Sequence, residues 1–195
     1  MSEQIDIHEA IALAAYPPVL DLFITVVFVA FGSGFGLLSR ISSFALLFFL
    51  VTLIPLVPVP VYIRKGLVDF YVSDRRQRTR FYLIAIASYS VAVSLLYYFR
   101  SATLFALVLS YLLITIAAML INLKWKISAH AAGIAGPVTA IAYVFGPQYL
   151  VLHALTITVM WSRVRAKAHS AWQVVAGAAI SIAITLAAFY LVLPF

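Results

Sequence analysis

The chain has 195 residues, of which 65% are hydrophobic and 10% charged, with a mean hydropathy of +1.10. So little polar surface cannot cover a water-facing particle of 21.4 kDa, which excludes an ordinary soluble domain. The absence of cysteine excludes disulfides, thiolate metal sites and cysteine nucleophiles, and the net charge of +7 sets 13 Lys and Arg against six acids.

Three of the six acids, Glu3, Asp6 and Glu9, precede residue 10, and no carboxylate side chain follows Asp74. Paired-carboxylate catalysis and an oxygen-ligand cage for a hard cation are therefore not expected. Neither metal nor cofactor is expected, and any anion must be held by cations. Nucleic acid is excluded as a partner because the basic residues sit in short loops between apolar runs and form no exposed face of a soluble module.

In chain order, residues 1–16 lack the basic opening of a secretory leader, so nothing is read as cleaved. Ile5, Ile7, Ile11 and Leu13 suggest a short interfacial helix or a frayed end before Pro17 and Pro18 restart the chain. Seven apolar runs of membrane-crossing length follow, at 18–39, 41–63, 81–99, 102–123, 129–146, 147–163 and 173–194. The second holds Pro55, Pro58 and Pro60 and should be kinked or partly unwound at its end. The fifth and sixth meet at Phe145-Gly146-Pro147, a tight hairpin signal. The expected architecture is all-α: a polytopic transmembrane helix bundle of six to seven spans, seven preferred, forming one domain over 1–195 among membrane lipids.

Three polar stretches, at 64–80, 124–130 and 162–172, are separated by pairs of crossings and should converge on one side. They carry Arg64, Lys65, Arg75, Arg76, Arg78, Arg80, Lys124, Lys126, Arg163, Arg165 and Lys167; only Arg40 and Arg100 fall opposite. Such an imbalance orients a membrane protein with its basic side in the cytoplasm, and it equally suits an anion site at the membrane surface. His130 and His169 stand at loop-to-helix junctions on that side, where helix N-termini favour anions and a neutral imidazole can attack or donate a proton. His153 and Asp21 fall inside apolar runs; interhelical hydrogen bonding is expected for His153, and Asp21 is a functional suspect by its position. Gly133, Gly136 and Gly177 read as close-packing positions.

Ser162-Arg163, five residues, then His169 resembles the third signature of the type 2 phosphatidic-acid phosphatase superfamily, integral membrane enzymes that dephosphorylate lipid phosphates and are related to vanadium haloperoxidases. Ile127-Ser128-Ala129-His130 is similar to that family's second signature, usually Pro-Ser-Gly-His. The likeness covers about residues 124–177. It implies that His169 is the nucleophile, that His130 is the general acid, and that Arg163 and Ser128 bind phosphate oxygens. The family's usual aspartate four residues after the nucleophile is here Gln173, whose carbonyl can orient the imidazole without a charge; Asp74 is a second candidate for that role. The family's first signature, Lys, six residues, Arg-Pro, is not intact. The run from Asp74 to Arg80 holds its place, with Arg80, then Arg75 and Arg78, as candidate phosphate ligands.

The function so implied is a metal-independent lipid phosphatase acting on a polyprenyl phosphate or diphosphate, or on a glycerolipid phosphate, through a phosphohistidine. The competing class is a catalytically weak relative that binds anionic lipid or acts as a small transporter.

Overall fold

The computed structural model describes residues 11, 15–69, 72 and 74–193. The expected interfacial helix near residues 5–13 lies outside them, apart from Ile11. Among the described residues the secondary structure is helical throughout, with no strand. Seven helices follow one another: α1 Pro17–Phe31, α2 Arg40–Arg64, α3 Arg75–Tyr98, α4 Ala102–Asn122, α5 Ala129–Phe145, α6 His153–Arg165 and α7 Ala171–Val192. Helices α2, α3, α4 and α7 are long and apolar enough to cross a membrane; α1 and α5 are shorter apolar helices. A 3-10 turn, Pro147–Leu152, leads into α6. Large apolar side chains such as Phe23, Phe31, Ile41 and Leu191 are exposed on the outside, a surface that lipid solvates and water does not.

The first apolar run was expected to continue helically to 39, but α1 ends at Phe31. Glycines end it: Gly34 and Gly36 adopt positive φ, and a side chain at Gly36 would collide with the Phe99 and Arg100 carbonyls of the α3–α4 turn. The carbonyls left open at the end of α1 are capped by Arg40, which donates to Val29, Ala30 and Gly32.

The proline-rich second run bends through a π-helical turn, Phe48–Leu53, and a break at Val57. In that turn the Ile54 N–H reaches Phe49 O, five residues back. The next bond in register would come from Pro55, which has no N–H. The Ser88 hydroxyl of α3 donates to Leu50 O in its place, at 2.5 Å, as a low-dielectric interior demands.

Helices α5 and α7 make the most extensive helix pair, and α3–α4 and α4–α7 extend the bundle around it. Small residues set that central contact. Ser181 Oγ donates to Ala132 O at 2.7 Å, beside Pro137 within α5. A Cβ built at Gly177 would lie 2.7 Å from Ser128 O, so only glycine lets α7 press against the start of α5. Gly177→Ala should lower stability by roughly 1–3 kcal/mol through overpacking, read as a fall in the thermal midpoint of the detergent-solubilised protein.

Candidate active site

The three basic stretches lie at one end of the bundle. Arg75 at the start of α3 donates to Asn122 O at 3.0 Å and to Leu123 O, while Asn122 Nδ2 returns a bond to Arg75 O at 2.8 Å. The Ser128 N–H, at the start of α5, donates to Gln173 O of α7 at 3.2 Å. The described residues of loops 65–74, 123–128 and 166–170 therefore share one surface.

The α6–α7 connection explains the spacing from Ser162-Arg163 to His169. Arg163 O accepts both the Ala168 N–H at 3.1 Å and the His169 N–H at 3.3 Å, and Lys167 takes a left-handed φ of 53° between them. The turn folds His169 back over the end of α6. Arg163 and His169 are 4% and 7% exposed.

Ser170 then caps α7 through a capping box. Its Oγ accepts the Gln173 N–H at 3.4 Å, and its own N–H donates to Gln173 Oε1 at 3.0 Å. Because a backbone N–H can only donate, the atom facing it must be the amide oxygen. That same oxygen lies 3.2 Å from His169 Nδ1. Nδ1 must then carry the proton, which leaves the Nε2 lone pair available for attack.

Burial, above all, and then the positive charges of Arg78, Lys126 and Arg163 push the His169 pKa down to about 3, against a smaller opposing pull from Gln173. Lys126 is lowered likewise, first by burial and then by Arg78 and Arg163, with Asp69 acting in the other direction. Arg78, Lys126, Arg163 and His169 thus form one electrostatic cluster drawn from all three basic stretches. Arg78 is fixed through Nε, which donates to Val72 O at 2.8 Å; Val72 is buried and holds a positive φ of 45°.

Ser128 is fully buried and N-caps α5, its Oγ accepting the Ala131 N–H at 3.3 Å. His130, in the first turn of that helix, is half-buried and lines a cavity of about 210 Å³, with Arg78 and Tyr16 also on its walls. Its ring centroid is 6.3 Å from that of Tyr16. Arg78 therefore belongs to both the cavity and the charged cluster around His169.

Among the arginine candidates of the first stretch, the structure brings Arg78 to this cluster and places the others elsewhere. Arg75 closes the C-terminus of α4, as described. Arg80 is exposed, with its guanidinium 5.2 Å from the centre of the Tyr62 ring. Asp74 N-caps α3 by accepting the Arg76 N–H at 2.9 Å, so the oxygen that orients His169 is that of Gln173. Lys126 and Asp69 were not singled out by motif. The signal for Lys126 was its place two residues before Ser128; Asp69 had none beyond its proximity to the arginine run.

A histidine held neutral in the fold makes stability depend on pH with a definite sign. In the unfolded chain His169 protonates below about 6.5, whereas the folded site stays neutral down to about 3. The unfolded state then binds more protons in that window, so the stability is complete above pH 6.5 and is lost as pH falls toward 3. His169→Asn should flatten the fall in unfolding midpoint between pH 7.5 and 5 relative to the parent chain, measured in the same detergent.

Comparison with known proteins finds no matching family model, no matching curated protein and no matching solved structure.

Proposed function

We propose that the chain is an integral membrane lipid phosphatase, of the type 2 phosphatidic-acid phosphatase kind, that works through a phosphohistidine without a metal ion. The observation that carries this reading is the neutral His169, with Nδ1 tied to Gln173 and three cations around it. A phosphoryl group spreads charge over its equatorial oxygens in the transition state, and preorganised guanidinium and ammonium groups are the stabilisers such charge needs.

In this reading the phosphate sits among Arg78, Lys126, Arg163 and the α5 N-terminus capped by Ser128. His169 Nε2 attacks phosphorus, forming the P–N bond as the P–O bond to the lipid breaks. His130 gives its proton to the departing alkoxide. Water, deprotonated by His130, then cleaves the P–N bond, releasing inorganic phosphate and restoring both histidines. The dianionic substrate also offsets the cations that depress His169, so binding raises the basicity of the attacking nitrogen.

Two features support a lipid as the carrier of the phosphate. The cavity holding His130 and Arg78 shares Gly133 and Pro137 with an adjoining apolar cavity of about 420 Å³, lined by Leu20, Phe23 and Val27 among others. Polar mouth and apolar interior follow one another as head and tail do in an amphiphile. All three tryptophans, Trp125, Trp161 and Trp172, are exposed in or beside the loops at this end, the level at which indoles anchor a bilayer interface.

Gln173 favours one alternative. An amide orients the imidazole but adds no charge to stabilise an imidazolium, which suits a catalytically weak relative that holds anionic lipid, or a small transporter with a basic gate. Phosphate release separates the readings. With excess EDTA in detergent, the parent chain should release phosphate from a prenyl diphosphate or a glycerolipid phosphate, and His169→Ala should retain less than about a tenth of that rate. His130→Ala should slow the glycerolipid phosphate, which leaves as an alkoxide, far more than an aryl phosphate, whose leaving group needs no proton. Absence of release from the parent chain, or release that requires added Mg²⁺, overturns the metal-free phosphatase.

The same reading puts the site on the cytoplasmic face. Setting aside Arg75, Arg78, Arg80 and Arg163, the basic end still carries seven Lys and Arg against Arg40 and Arg100 opposite. With seven crossings, a reporter fused after Phe195 should be found outside the cytoplasm; a cytoplasmic reporter overturns the crossing count or the orientation.

A further inference from the structure

The cavity shared by His130 and Arg78 extends well below the cations. Asp21, Tyr82, Tyr89 and Tyr111 also line it. Tyr89 lies eleven residues beyond Arg78 along α3, about 16 Å farther from the basic end, and Asp21 lies five residues beyond Tyr16, about 7 Å farther. Both helices begin at the basic end, so their side chains lean back toward it. The polar groups therefore sit one to three helical turns beneath the proposed phosphate position, within reach of the same ligand.

Their hydrogen bonding is incomplete. Asp21 is 6% exposed, and its one hydrogen bond among the described residues comes from Tyr89 Oη, at 3.4 Å. No Lys, Arg or His among the described residues is paired with it. Tyr111 is 7% exposed and its hydroxyl has no hydrogen-bond partner among the described residues, as is also true of the Tyr82 hydroxyl. A carboxylate with one long bond and two unpartnered phenols are costly at membrane depth unless a ligand completes them. Hydrocarbon cannot do so. A hydroxyl or amino group can, by donating to Asp21 and meeting the phenol oxygens, and the surrounding aromatic rings suit an ammonium in particular.

We propose that Asp21, Tyr89 and Tyr111 form a second, polar subsite that takes a hydrogen-bond-donating hydroxyl or amino group of the ligand. The preferred substrate is then a phosphate monoester of a hydroxylated or aminated lipid, not of an unbroken alkyl or isoprenoid chain. This rests on the phosphatase reading only in placing the phosphate at Arg78 and His130. Asp21 and the tyrosines discriminate among substrates and take no part in the transfer.

The test is competitive binding to the full chain in detergent, followed by native mass spectrometry, with three phosphates of matched chain length. They are hexadecyl phosphate itself and two hexadecyl phosphates bearing an amine or a hydroxyl about six to ten carbons from the phosphate, the depth at which Asp21 and the tyrosines line the cavity. At least one donor-bearing lipid should displace hexadecyl phosphate at about tenfold lower concentration. Preference for the amine-bearing over the hydroxyl-bearing lipid identifies an ammonium as the recognised group; the reverse preference identifies a hydroxyl, and equal preference shows that either donor satisfies the subsite. Asp21→Asn and, as a variant that keeps the ring in place, Tyr111→Phe should each bring the preference close to parity while leaving hexadecyl phosphate affinity and melting temperature unchanged. Equal binding of all three lipids by the parent chain, or a preference that survives both substitutions, overturns the subsite. Binding preference without phosphate release overturns the phosphatase and leaves the subsite standing; release without preference does the reverse.

Discussion

Gln173 bears the arrangement of the candidate site, because its two oxygens tie two loops to the start of α7. The main-chain carbonyl holds the Ser128 N–H, and the side-chain oxygen holds both the Ser170 N–H and His169 Nδ1. The contact at Gly177, one turn farther along α7, keeps the Ser128 loop close enough for the first of these bonds. Position, tautomer and burial of the histidine thus all follow from the way one helix starts. An aspartate at this position would have a shorter reach and would add a negative charge among Arg78, Lys126 and Arg163. The amide leaves their positive field undiminished, and it is that field, added to burial, which keeps the imidazole neutral.

A lipid environment explains why so many polar side chains spend their hydrogen bonds on backbone. Carbonyls freed by proline, by a helix end or by close packing have no water to turn to. Ser88 serves Leu50, Arg40 serves the end of α1, Arg75 serves the end of α4 and Ser181 serves Ala132. His153 acts similarly between side chains, lying 3.5 Å from Thr139 of α5 and 3.3 Å from Thr156 of its own helix. In a chain with 13 Lys and Arg, only some of the cations are therefore disposable for binding. Their positions in sequence do not say which.

That distinction marks what was legible in the residues. Helix positions were legible because apolar runs of membrane length are a strong signal, and the glycines at 34 and 36 shortened the first run by a packing demand from the α3–α4 turn and the start of α4 that lies far away in sequence. His169 was legible from its helix junction, and Arg163 and Ser128 were joined to it only through the resemblance of Ser162-Arg163-x5-His169 and Ser128-Ala129-His130 to two short signatures. Arg75, Arg78 and Arg80 were not separable: three arginines within a turn and a half of helix look alike until the partners of each are known. One meets the end of α4, one turns inward under Val72 and one lies over Tyr62. Asp74 was ambiguous for the same reason, being equally suited to capping and to orienting, and the start of α3 claimed it.

The turn between α6 and α7 has a consequence for how ligand is received. The N–H groups of Ala166, Lys167, Ala168 and His169 are all bonded to carbonyls of α6, so the segment has no slack to take up. The entropy of ordering these residues has already been lost in folding and is not charged again when an anion arrives. Such a loop cannot close like a lid over its guest. In the phosphatase proposed above this turn is a fixed wall of the site, and shielding of the phosphate from bulk water falls to the other loops and to the lipid headgroup layer above them.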